Sequence, residues 1–242
     1  MAVAIVTGAS SGIGEATAVA LAREGYSVAL AARRGDRINE IVQRISGDGG
    51  RALAVPTDVA DEGSANELIR VTREELGSVD VLVNNAGVML LGPVQGADTE
   101  EWRRMVDVNV LGLMYCSHAA LPVMQEQGGG HIVNVSSVAG RTARMGAAGY
   151  NATKWAVVAF TEALRQEALH SKIRVSVVEP GFVETELQGH NENPMVVETI
   201  DKMRAKIGDI LKSEDIADAI VYMVTRPPHV LISEIMVRPT GE

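Results

Sequence analysis

Short apolar runs alternate with longer amphipathic stretches along nearly the whole chain, and few folds accept that order. The runs are AVAIV (2–6), SVALA (27–31), RALAVP (51–56), VDVLV (79–83), HIVNV (131–135), IRVSVV (173–178) and LISEIMV (231–237). Several lack polar alternation, as strands covered on both faces do. Helical spacing fills the intervals near 12–24, 35–46, 61–76, 98–107, 109–126, 151–169, 195–206 and 213–224. This predicts an α/β chain: a doubly wound parallel sheet with helices on both faces. The 242 residues suit one domain, 1–242. Asp98, with Glu101 three residues on, predicts a capping-box start. Ser213 before EDIA predicts a capped last helix, with Glu214 and Asp215 at its positive end. The polar segment 181–194 reads as a loop or lid, and the region around 182–208 as a substrate loop.

Composition narrows the function. Hydrophobic residues make up 46 % of the chain, enough for a sizeable core. Twenty-two basic against 31 acidic residues give a net charge of −9. With no basic stretch, a nucleic-acid partner is not expected. A lone cysteine, Cys116, excludes an intrachain disulfide and points to a reducing, cytoplasmic compartment. The opening apolar stretch has no basic lead and runs into a glycine turn, so it reads as a strand and not a signal peptide. No apolar run approaches membrane-spanning length, and no membrane partner is expected.

The turn TGASSGIG (7–14) follows the first strand and opens the first helix. Gly8 permits a sharp turn, Gly12 removes a side chain where a ligand backbone would approach, and Gly14 allows close helix–strand packing. A diphosphate can then sit on the free N–H groups at the helix start. The spacing is not the tighter dinucleotide fingerprint, and the GKS/GKT ending of an ATP loop is absent. The second strand ends AARR. Ala32 stands where an acidic residue would bond ribose hydroxyls, so Arg33, helped by Arg34, suits a 2′-phosphate; two solvated arginines are the plainer alternative. Asp58 suits either an adenine amino group or the cap of the next helix.

In this order TGASSGIG, DV (58–59), NNAG (84–87), Asn109 in VDVNVLG, VNVSS (133–137), YNATK (150–154) and EPGFVET (179–185) resemble the short-chain dehydrogenase/reductase family over almost the whole chain. NNAGVMLLGPV and IMVRPT further resemble its NADP-linked branch with clavaldehyde dehydrogenase and small 3-hydroxy acid dehydrogenases. The resemblance implies a Rossmann-type seven-stranded sheet, often ordered 3-2-1-4-5-6-7, and a homotetramer, with a homodimer as the alternative. It implies a catalytic set of Asn109, Ser137, Tyr150 and Lys154, with Ser136 structural. The implied NADP(H) contacts are Gly8, Ser10, Gly12, Ile13, Gly14, Arg33, Arg34, Asp58, Val59, Asn85, Ala86, Gly87, Pro180, Gly181, Val183 and Thr185. Tyr150 and Lys154 also belong to this set, and Asn84 is expected to brace the sheet edge through backbone hydrogen bonds.

The implied chemistry is hydride transfer between nicotinamide and a small carbonyl or hydroxy compound. Lys154 should favour the phenolate and lower the pKa of Tyr150. Ser137 would hold the carbonyl oxygen, and the backbone of Asn109 would support a water relay to Lys154. Val138, Ala139, Met89, Arg141, Met145 and the loop 182–194 are candidate substrate contacts; Arg141 suits either a carboxylate or solvent. Ala152, Ala156, Ala159 and Ala163 form a small-residue stripe for packing on the sheet or another subunit, with Trp155 at a core or an interface. His118 and His190 lack the neighbours of a metal site, so no metal is expected. An isomerase using nicotinamide transiently and a non-catalytic NADP-binding regulator are the alternative functions.

Overall fold

The computed structural model describes residues 1–242. Its strands are β1 (Val3–Thr7), β2 (Ser27–Ala32), β3 (Arg51–Pro56), β4 (Val81–Asn84), β5 (Gly130–Val135), β6 (Ile173–Pro180) and β7 (Glu234–Val237). All pair in parallel, in the order β3-β2-β1-β4-β5-β6-β7. The helices are α1 (Gly12–Arg23), α2 (Gly35–Gly47), α3 (Glu62–Leu76), α4 (Thr99–Val106), α5 (Gly112–Glu126), α6 (Ala148–Glu167), α7 (Pro194–Ile207) and α8 (Ser213–Val224).

Period-two side-chain direction divides the core. Ala4, Val6, Val28, Leu30, Val81 and Val83 face a cluster completed by Leu21, Ile38, Ile41, Ile216 and Ile220 from α1, α2 and α8. Ile5, Ala29, Leu82 and Ile132 face the opposite cluster, with Leu68, Cys116, Ala120, Met124 and Leu164 from α3, α5 and α6. Chain order reverses between β1 and β4, so the connections after these strands diverge to opposite faces and leave a crevice at the strands' carboxyl ends.

Most element boundaries meet the expectations, and the departures have local causes. β4 starts at Val81 because Val79 is paired elsewhere: Gln127 accepts from its N–H at 3.2 Å and donates to its carbonyl at 2.6 Å. Asp80 meanwhile accepts the Val3 N–H at 2.7 Å. Ser213 does not cap α8. It is the first helical residue, and Asp215 reaches back to the N–H of Lys212 at 2.7 Å. Asp98 does cap α4, accepting from the Glu100 N–H at 2.9 Å.

α4 and α5 are joined by a wide π-helical turn, Asp107–Leu111, in which the Gly112 N–H bonds the carbonyl of Asp107. The expected break is therefore a continuous helix, Thr99–Glu126, long and apolar enough to cross a membrane by length and composition. No single apolar run revealed that length. In the fold it packs against α3, α6 and the sheet.

Candidate active site

The crevice opens into a cavity of about 710 Å³. The glycine turn forms its floor. Gly8 and Gly12 have φ of +65° and +57°, which a side chain resists. A Cβ on Gly8 would lie 2.8 Å from Ala86 Cα, and one on Gly14 would overlap the Gly8 carbonyl oxygen. Ser11, at the N-cap of α1, makes no side-chain cap, so the first N–H groups of α1 point at the crevice without a side-chain partner. Asn85 braces this turn, donating from Nδ2 to the Thr7 carbonyl at 2.9 Å. Asn84, expected to brace the sheet edge through backbone hydrogen bonds, uses its buried side-chain amide, donating to Ser117 Oγ at 3.0 Å and to Asn134 Oδ1 of β5 at 2.9 Å.

At the end of β2 both arginines line the cavity. Arg34, expected only as a helper, makes the contacts: Nη2 to Ser10 Oγ at 2.9 Å, to Ser11 Oγ at 2.8 Å and to Glu186 at 2.8 Å. Arg34 holds the Glu186 carboxyl below its ordinary pKa. Asp58 accepts from the Ala60 N–H, whereas Asp61 caps α3, so Asp58 stays on the cavity wall. Ser10, Ile13, Val59, Ala86, Gly87, Pro180, Gly181, Val183 and Thr185 line the same cavity. Thr185 is partly occupied in capping the short turn Glu186–His190, accepting from the Leu187 N–H at 3.3 Å.

Ser137, Tyr150 and Lys154 meet on the opposite wall. Ser137 ends the extension of β5, accepts from the Ala139 N–H at 3.1 Å and donates to the Pro180 carbonyl at 3.4 Å. Four-residue spacing puts Tyr150 and Lys154 on one face of α6, with the ammonium 5.8 Å from the ring centroid. Lys154 Nζ donates to the Val135 carbonyl at 3.0 Å. Ser136 Oγ donates to the Lys154 carbonyl at 2.9 Å, which suits a structural role. Burial pushes the Tyr150 phenol up to about 12, with Ser137 opposing, and pulls the Lys154 ammonium down to about 8. Burial of the phenol thus opposes the lowering expected from Lys154.

Asn109 stands behind this wall, within the π turn. Its amide accepts the Val88 N–H at 2.8 Å and donates to the Val88 carbonyl at 2.9 Å and Thr153 Oγ1 at 3.1 Å. Gly14 likewise supports the cavity from behind. Met89, Val138, Ala139 and Met145, the candidate substrate contacts, line the cavity. Arg141 does not: it pairs with the buried Glu179 at 2.7 Å and with Glu234. The carboxyl of Glu179 is raised by burial, and Arg141 opposes that rise. His118 is exposed on α5, and His190 lies in the cavity wall.

Four contributors were missed. Asn191 accepts the Leu91 N–H at 2.7 Å and donates to the Met89 carbonyl at 3.1 Å, clasping the lid to the loop after β4. Glu186 clasps the other side through Arg34. Arg144 and Glu242 close the substrate end. These partners lie 98 to 152 residues apart, so no periodicity marks them.

The short chain dehydrogenase family model matches residues 2–195. Glycine betaine reductase ATRR of Emericella nidulans is 42 % identical over 99 % of this chain, which spans only 19 % of that protein. An alcohol dehydrogenase from Thermococcus sibiricus, complexed with 5-hydroxy-NADP, is 32 % identical with a TM-score of 0.89, covering 100 % of this chain and 98 % of that one. The closed form of a serine dehydrogenase complexed with NADP⁺ is 31 % identical with a TM-score of 0.91, covering 99 % and 96 %. With its glycine turn, its Ser137–Tyr150–Lys154 wall and this match, the chain belongs to the short-chain dehydrogenase family.

Proposed function

We propose that this chain is an NADP(H)-dependent oxidoreductase interconverting a small aldehyde or ketone and its alcohol. The observation that carries the reading is the convergence of Ser137, Tyr150 and Lys154 across one cavity from the glycine turn and the arginine pair. The residues fit NADP(H): the turn excludes side chains where a diphosphate would lie, and Arg33, with Arg34 as helper, supplies positive charge for a 2′-phosphate beside Ala32. Two solved relatives are bound to NADP⁺ or a derivative of NADP. The bound cofactor supplies or accepts the hydride.

The chain's residues manage the substrate oxygen and its proton. Tyr150 donates its phenolic proton to the oxygen as negative charge develops there. Ser137 donates a second hydrogen bond to the same atom, and loss of such a donor costs roughly 10²–10³ in rate. Lys154, held by the Val135 carbonyl, places a positive charge beside the phenol and stabilises the phenolate left after transfer. Asn109 fixes the turn at Val88 and widens the helix beside Lys154; a water relay from its backbone would return the proton. The substrate belongs with those of clavaldehyde and small 3-hydroxy acid dehydrogenases, a reading that rests on the stretches NNAGVMLLGPV and IMVRPT.

The same proposal includes one catalytic domain, a cytoplasmic setting and a homotetramer. A single sheet takes in all seven strands, and the free thiol of Cys116 is buried. The alanine stripe on α6 is turned outward beside Trp155, which is 50 % exposed, so packing on its own sheet is excluded and a second subunit is favoured. The test follows NADPH absorbance against aldehydes, ketones and oxo acids, with Tyr150→Phe as control. Substrate-dependent oxidation lost in the variant, with NADPH binding retained, is expected. Product formed without net cofactor turnover would indicate the isomerase, and binding without chemistry the regulator.

A further inference from the structure

One ion pair at the substrate end of the cavity is unused by this chemistry. Arg144 Nη2 lies 3.2 Å from Glu242 Oε1. The Arg144 backbone N–H donates to Asn151 Oδ1 at 3.2 Å, and Asn151 directly follows Tyr150. Glu242 Oε2 accepts the Phe182 N–H at 3.0 Å, two residues past Pro180, whose carbonyl receives the Ser137 hydroxyl. The pair thus bridges the segments that carry Tyr150 and Ser137.

Its members are unequal. The Glu242 side chain is 6 % exposed and each carboxylate oxygen has a partner. Arg144 is 46 % exposed, and its other side-chain contact is Nη1 to the sulfur of Met203 at 3.6 Å, a weak acceptor. A guanidinium carries five donors in a planar fork matched to carboxylates, so most of its donors remain open. The remaining lining is mainly apolar, from Met145, Val196, Ile200 and Met203. Of the other cations lining the cavity, Arg33 and Arg34 sit at the end of β2, and Lys154 is committed beside Tyr150. A cationic substrate would have to displace Arg144 from Glu242, whereas an anionic one meets open donors.

We propose that Arg144, held in place by Glu242, is the specificity-determining residue for a carboxylate on the substrate, which is then a small oxo acid or the matching hydroxy acid. This rests on the oxidoreductase reading and moves the carboxylate contact from Arg141 to Arg144.

Two readouts keep this proposal separate from that reading. In the first, kcat/KM is compared for 4-oxobutanoate and its neutral methyl ester with NADPH. Arg144→Gln should lose about 10- to 100-fold more on the acid than on the ester, the worth of a charged hydrogen bond. Arg144→Lys should restore part of the difference. Glu242→Gln, whose amide cannot accept from both Arg144 and the Phe182 N–H, should loosen Arg144 and narrow the preference for the acid over the ester. In the second, butanoate and butanamide are titrated calorimetrically into the protein–NADP⁺ complex. Butanoate should bind more tightly, and Arg144→Gln should weaken it by about tenfold or more. Butanoate binding of this kind without turnover of any carbonyl would sustain the anion site and defeat the oxidoreductase reading. Equal losses on acid and ester, or butanoate binding unchanged in both folded Arg144 variants, would overturn the proposal. So would preference for a trimethylammonium aldehyde that disappears in Glu242→Gln.

Discussion

Acid should destabilise this protein through one buried imidazole. His131, on β5, is 1 % exposed, and its Nε2 lies 2.8 Å from Ser176 Oγ. The Ser176 hydroxyl already donates to the Ile232 carbonyl at 2.7 Å. Ser176 must therefore accept from Nε2–H, leaving Nδ1 as the bare nitrogen. Nδ1 is buried without a partner, so a second proton would add both a charge and an unmatched donor. Burial, aided by the Arg174 charge, lowers the pKa from 6.5 to about 3. Between those values the unfolded chain binds more protons, so stability falls as pH falls, by about 1.4 kcal/mol per unit. The stabilising contribution is fully present above the unfolded pKa, and about 2.7 kcal/mol of it should be gone two units below. His131→Gln keeps an N–H for Ser176 and does not titrate. Urea unfolding of both proteins across this window removes the shared carboxylate contribution. The stability difference between them should shift by that amount, at the expense of the wild type. Parallel curves would refute the assigned tautomer and the burial argument.

Four further outcomes are expected. Because burial lowers Lys154 to about 8, carbonyl reduction should decline as pH rises through that value; a profile flat to about pH 10, the ordinary lysine range, would count against its role. Arg34→Ala should weaken NADPH by about tenfold or more and NADH far less in fluorescence titrations, and equal losses would remove the 2′-phosphate assignment. Gly14→Ala should cost about 1–3 kcal/mol in urea unfolding, because the added methyl meets backbone at Gly8; an unchanged midpoint would contradict that packing. Asn191→Ala opens the lid clasp and should speed NADPH dissociation roughly tenfold in stopped-flow traces, an effect absent if the lid is held elsewhere.

Local physics explains what the sequence disclosed. Strands and helices follow from periodicity, and the glycine turn announces itself because Gly8 and Gly12 need positive φ and Gly14 admits no Cβ. Tyr150 and Lys154 share a face because helix geometry requires it. The harder features depend on distant partners. Arg141 resembled a substrate contact until β6 and β7 brought Glu179 and Glu234 beside it. Asn84 and Asn85 are adjacent in sequence but point to opposite surroundings, and only the sheet order determines which reaches Thr7. The opposing effect of burial on the Tyr150 phenol is hidden because the attraction of Lys154 is evident in sequence whereas the loss of water is not.

The wide turn at Asp107–Leu111 holds one residue more than a regular turn and so sets the rotation between α4 and α5. A regular helix advances about 100° per residue, so drawing this turn into regular helix with that residue kept would rotate α5 relative to α4 by roughly a quarter turn. Trp102 and Met105 now pack toward Tyr150, while Cys116, Ala120 and Met124 face the sheet. Straightening the helix would force one of those sets off its surface, and Asn109 would leave Val88. Substitutions along this helix can be absorbed one side chain at a time, but the width of the turn at Asn109 cannot be lost with its residues kept.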